Sequence, residues 1–208
     1  MQGCEKREKR EERVTATIAP GLKNPAQDNQ RIFRAILLTM SRPGTVTVLG
    51  NWPKPPASLH PAATAVCLAL ADMDTPLWLG PAAPRDAQTY LRFHCGSPLV
   101  TREEDAVFAI IPDGHALPDL ARFNPGTLEY PDRSATVIIQ VRSIEVGCGV
   151  RLSGPGIRDE VRLAVDGLHT DFWQAMQWNS HRFPLGFDTI LATETEIVSL
   201  PRTVRVGI

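Results

Sequence analysis

The chain has 208 residues, 43% of them hydrophobic, with a formal net charge of -1 and an isoelectric point near 6.5. This length suits one large domain with a continuous core, and the near-neutral charge excludes a surface built to neutralise the phosphates of a nucleic acid. The longest apolar run, Ala62 to Ala71, is interrupted by Thr64 and closed by Asp72, short of the roughly 18 apolar residues of a membrane helix.

At the N-terminus, MQGCEKREKREER has no apolar core of a secretory signal, so a soluble cytoplasmic chain with free thiols is expected. Glu5 to Arg13 mixes both signs of charge and reads as part of a flexible tail over residues 1–23, followed by one domain over 24–208. Asp28 is placed to cap a helix on which Ile32, Phe33, Ile36, Leu37 and Met40 form an apolar stripe, stopped at Arg42-Pro43-Gly44. Thr45 to Leu49 alternates like a strand, and Asn51-Trp52-Pro53-Lys54-Pro55-Pro56 makes a stiff loop. A second helix follows from about Pro61, buried on most sides between Ala65 and Ala71, and Pro76 to Leu79 reads as a short buried strand.

The alternation continues with a helix over Asp86 to His94, a strand over Ala106 to Ile111, a short helix near Leu117 to Phe123 and a strand over Thr136 to Val141. Arg151 to Ser153 and Val161 to Ala164 read as strands joined through Gly154-Pro155-Gly156, with a helix over Thr170 to Asn179. Thr189 to Ala192 and Glu196 to Leu200 form a closing hairpin through Thr193-Glu194-Thr195, after which Pro201 limits further pairing. Interspersed strands and helices imply an α/β domain with a mixed, partly parallel sheet covered by helices.

Four blocks, IFRAILLTMSRPG (Ile32 to Gly44), DMDTPLWL (Asp72 to Leu79), LRFHCGSPLV (Leu91 to Val100) and FPLGFDTILATETEIVSLPRTVRV (Phe183 to Val206), occur in this order. Together they resemble the PhnH family, a subunit of the bacterial carbon-phosphorus lyase system for using phosphonates, from roughly Asn24 to the C-terminus. The resemblance implies a shortened version of the pyridoxal-phosphate-transferase large domain. It also implies a homodimer in isolation and, in cells, association with PhnG, PhnI and PhnJ subunits.

Pyridoxal phosphate is held as an imine to a core lysine, yet the four lysines are Lys6, Lys9, Lys23 and Lys54, with none from Pro55 onward. No cofactor is therefore expected, and the fold analogy is a poor guide to function. The three-cysteine cluster motif of radical chemistry is missing as well. His94-Cys95 is no catalytic couple, because neighbouring side chains point apart; Cys67 reads as a core residue and Cys148 as part of a glycine turn. His60, His94, His115, His169 and His181 lack metal-ligand spacing, Gly96-Ser97-Pro98 lacks the closing glycine of a hydrolase elbow, and the proline in Gly154-Pro155-Gly156 spoils a phosphate loop.

Six polar residues within apolar motifs remain as anion-binding or interface candidates: Asp72, Asp74, Arg92, His94, Asp188 and Arg202. The aspartates at 72 and 74 also fit a turn before Pro76, and Arg92 and Arg202 fit either an anion or an ion pair. An assembly subunit for phosphonate breakdown, with Trp52, Trp78 or Trp173 at docking surfaces, is the expected function; a phosphonate- or nucleotide-binding delivery protein is the alternative.

Overall fold

A computed structural model of the chain describes residues 18–50, 54–81 and 83–207; the expectations for Glu5 to Arg13 and for Trp52 lie outside these. Helix α1 spans Pro25–Ser41. It opens one turn earlier than the Asp28 cap implied, because Pro25 fits the first helical position, where an N–H is unpaired anyway. Asp28 instead braces that turn, its carboxylate accepting the Asn24 backbone N–H at 2.9 Å. The apolar stripe divides: Ile32 and Ile36 are buried, whereas Phe33 and Leu37 are 47% and 52% exposed. Only the first pair faces the neighbouring helix and sheet.

Strand β1 (Thr47–Val48) and helix α2 (Pro61–Leu70) follow, the latter buried from Ala62 to Cys67. Next come β2 (Leu77–Leu79), α3 (Arg85–Cys95), β3 (Leu99–Val100) and β4 (Phe108–Ile111). Gly96, with φ +70°, ends α3 in the left-handed conformation that glycine adopts without a Cβ clash. The helix expected near Leu117 to Phe123 is a single 3-10 turn, Leu120–Arg122, started by Asp119, which accepts the Ala121 N–H at 3.0 Å. Then come β5 (Thr136–Gln140), β6 (Ser143–Ser153), β7 (Val161–Asp166), α4 (Asp171–Ser180), β8 (Asp188–Ala192), β9 (Glu196–Leu200) and β10 (Arg205–Gly207).

Seven strands form the main sheet in the order β1-β9-β8-β5-β4-β2-β3. From β8 across to β3 the pairings are parallel, while β9 is antiparallel to β8 and β1 to β9. The closing hairpin is thus β8-β9, with Ala192 opposite Ile197. A small antiparallel sheet, β10-β6-β7, stands apart. Cys148 belongs to β6 rather than to a turn, since Gly147 and Gly149 at φ +100° and +83° let the strand bulge between Val146 and Val150 while still pairing with β7.

Alternation along the strands separates two cores. Ile110, Ile138 and Ile190 face a cluster with Ile32, Ile36, Val66, Tyr90 and Leu91, so α1, α2 and α3 cover one face. Ala109, Val137, Ile139 and Leu191 face the other cluster, which holds Phe123, Phe172 and Met176 with Leu152 and Leu163 of the small sheet. Burying each such large side chain contributes roughly 1.5–3 kcal/mol. The domain is a three-layer α/β unit.

Candidate functional site

Open α/β sheets bind ligands outside the carboxyl ends of their parallel strands. At the end of β5 that position is filled from within. Gln140 is 3% exposed; its side-chain N–H groups donate to the Ser58 and Pro112 carbonyls, each at 3.0 Å, and its oxygen accepts the His60 N–H at 2.7 Å. His60 Nδ1 lies 3.3 Å from the Ala192 carbonyl, and its Nε2 is 3.5 Å from Glu194, so the end of β8 is covered too. Gly114 completes the plug. Its N–H donates to the Gln140 carbonyl at 3.1 Å, and a Cβ there would collide with the Gly167 carbonyl. Between the ends of β2 and β4 a hollow of about 190 Å³ remains, walled by Trp78, Gly80, Pro81 and Pro112, with Asp113 as its charged member.

The six sequence candidates do not converge. Asp188 and Arg202 meet each other: Nη2 of Arg202 is 2.6 Å from Asp188 Oδ2, and its backbone N–H donates to Asp188 Oδ1 at 2.8 Å. The same guanidinium donates to the carbonyls of Pro131, at 2.7 Å, and Pro184, at 3.3 Å, and to the Ser134 hydroxyl. The side chains are 12% and 21% exposed for Arg202 and Asp188, and every strong donor of Arg202 is engaged inside the chain. Asp72 organises a turn, accepting from the Asp74 N–H and the Thr75 hydroxyl, both at 3.0 Å; Asp74 is exposed.

His94 lies on α3 and ties down the segment before α1. Its Nε2 is 2.8 Å from the Ala19 carbonyl, Tyr90 donates to the Pro20 carbonyl at 3.2 Å, and a Cβ on Gly21 would strike the imidazole. Cys95, next in sequence, turns away and donates weakly to the Cys67 carbonyl at 3.7 Å. Burial pushes the Cys95 thiol up to about 12 and the Cys67 thiol well above its ordinary value, which opposes the thiolate a nucleophile requires. Among the described residues no three His, Cys, Asp or Glu side chains cluster to hold a metal ion. Lys23 and Lys54 are exposed, so neither is placed as a core imine lysine, and the described residues do not fit pyridoxal phosphate.

Arg92 is different. With Arg85, Gln88 and Thr89 it forms the outer face of α3, at spacings i, i+3, i+4 and i+7, all four exposed. Among the described residues neither arginine has a carboxylate within ion-pair reach, whereas nearby Arg102 pairs with Glu104 and Asp105, and Arg122 pairs with Glu103. Hollows of about 470 and 380 Å³ adjoin this face and share Gln88, Arg92 and Leu99. The first reaches Arg85, Ile18 and Phe93, and the second reaches Trp78, Pro81 and Thr101 beside the carboxyl ends of β2 and β3. Sequence reasoning missed Arg85, because a polar residue opening an exposed helix face leaves no periodic signal. Its position is nonetheless informative: a cation in the first turn of a helix opposes the helix dipole by about 0.3–1 kcal/mol.

Fold and site together define a single-domain α/β protein whose central strand ends are plugged and whose flanking helix α3 carries two exposed arginines without an ion pair among the described residues. The family described as "Bacterial phosphonate metabolism protein (PhnH)" matches residues 20–207, and the chain belongs to that family. It is 36% identical to the "Alpha-D-ribose 1-methylphosphonate 5-triphosphate synthase subunit PhnH" of Rhizobium meliloti (strain 1021), over 88% of this chain and 92% of the relative. It is 33% identical to the "Putative C-P lyase subunit protein HtxG" of Stutzerimonas stutzeri, over 88% of each.

Proposed function

We propose that this chain is an assembly subunit of the machinery that degrades organophosphonates, working with PhnG-, PhnI- and PhnJ-type subunits in the cytoplasm and forming a homodimer when isolated. One observation carries the reading: four of the six polar residues that sequence singled out are spent on holding the fold, with Arg202 on Asp188, His94 on Ala19 and Asp72 on its own turn, and the six do not gather around a reactive centre. The names of both relatives, each a subunit, support it. The mostly parallel seven-stranded sheet supports descent from a shortened pyridoxal-phosphate-transferase scaffold that kept the framework without the lysine.

Assembly requires apolar surface. Trp78 is excluded from that role because it is 3% exposed and packs edge-on against Phe123 at 5.4 Å, and Trp173 packs partly buried against Phe172 at 5.1 Å. Phe33 and Leu37, one helical turn apart on α1, supply the exposed apolar pair instead. The test is deletion of the gene followed by growth with methylphosphonate as sole phosphorus source, with inorganic phosphate as control. Growth should fail on the phosphonate alone; undiminished growth on both refutes the proposal.

A further inference from the structure

We propose that the groove along α3 is a binding site for a small oligoanion, held between the guanidinium groups of Arg85 and Arg92. Seven residues at about 1.5 Å each separate the two stems by roughly two turns on one side of the helix. A chain of linked phosphate groups, free or as the end of an organic molecule, spans such a pair; a single orthophosphate engages one guanidinium at a time. Planar paired donors match phosphate and phosphonate oxygens, and among the described residues neither arginine is committed to a carboxylate.

The location adds two arguments. Arg85 stands in the first turn of an eleven-residue helix, so a bound anion gains from the helix dipole that the bare cation opposes. The adjoining hollows, about 470 and 380 Å³, lie within the range of small-molecule sites and carry apolar walls from Leu99, Phe93 and Ile18 on which an organic portion can rest. Polar lining comes from Gln88, Thr89 and Thr101. Asp86 lines a neighbouring hollow that shares Arg85 and Thr89 with the groove; it forms no ion pair with either arginine, and its Oδ1 accepts the Ala87 N–H at 2.8 Å. The lining of the hollows of about 470 and 380 Å³ includes no carboxylate, thiol or imidazole, so the groove retains a ligand rather than cleaving it.

This inference stands apart from the assembly reading: a deletion strain that grows normally would refute assembly and leave the groove untouched. The test is calorimetric titration of the full chain with sodium tripolyphosphate at low salt, with orthophosphate and ATP as parallel probes. Tripolyphosphate should bind, and more weakly as salt screens the charges. Arg85→Gln and Arg92→Gln should each weaken binding about tenfold, the double variant about a hundredfold, with melting temperatures unchanged. Arg34→Gln, an exposed position on α1, should leave binding intact. Orthophosphate should bind at least tenfold more weakly. Tighter binding of ATP than of tripolyphosphate supports an organic ligand, and the reverse supports a free oligophosphate. No measurable heat with either, equal binding by the double variant, or equal loss in Arg34→Gln overturns the site.

Discussion

Replacing Arg202 by alanine tests whether its partners make it a structural keystone. The substitution leaves Asp188 only 21% exposed without its cation, and releases the Pro131 and Pro184 carbonyls and the Ser134 hydroxyl. Removing one member of a buried ion pair costs about 3–5 kcal/mol. Partial exposure of both side chains, 12% and 21%, admits some water and places the expected loss near 3 kcal/mol, about the lower end of that range. For a chain of this size each kcal/mol shifts the melting temperature by roughly 2–4 °C, so Arg202→Ala should melt some 6–12 °C lower, about the product of the two. Urea unfolding followed by tryptophan fluorescence gives the free energy, and calorimetry the midpoint. A cycle with Asp188→Asn should show a coupling of at least about 1 kcal/mol. A shift below about 2 °C, or a coupling of zero, refutes the reasoning.

Asn179 is fully buried and brackets Phe187, donating to its carbonyl at 2.8 Å and accepting its N–H at 3.0 Å. Asn179→Ala should therefore cost about 2–4 kcal/mol in urea unfolding, since two buried backbone groups lose partners. Tyr90→Phe should remove only about 0.5–1.5 kcal/mol but speed tryptic cleavage at Lys23 several-fold, because the hydroxyl holds the Pro20 carbonyl; unchanged cleavage counts against that anchoring. Iodoacetamide at mildly alkaline pH should modify exposed Cys148 while Cys67 and Cys95 react only after unfolding, as peptide mapping would show. Burial raises the folded Cys95 thiol to about 12, above its unfolded value, so its contribution is present below the ordinary thiol range and is lost as pH rises toward that figure. The stability advantage over Cys95→Ala should shrink across this window, and a constant advantage contradicts the assignment.

How much of this was legible in the sequence depended on whether the signal was local. The stripe from Ile32 to Met40 and the β8-β9 hairpin were readable because their periodicity and turn residues lie within one segment. Which half of the stripe would be buried was not readable, since only the placement of α2 and β9 leaves Phe33 and Leu37 outside. The small sheet was underestimated because the two glycines around Cys148 look like a turn, and only pairing with Val161–Asp166 shows a bulged strand. The two-residue strands Thr47–Val48 and Leu99–Val100 exist through their neighbours rather than through propensity. At the site, Asp188 and Arg202 were both named, but their 14-residue separation concealed their pairing. Arg92 was named without Arg85, whose relation to it depends on helical geometry.

The central claim, that this chain contributes binding surface rather than turnover, is tested most directly by native mass spectrometry of a co-expressed set of PhnG-, PhnI- and PhnJ-type subunits from the same organism, with and without it. The account predicts one assembly containing the chain, smaller or absent without it, and disrupted by Phe33→Glu with Leu37→Glu. A complex of unchanged composition and activity in its absence would contradict the claim.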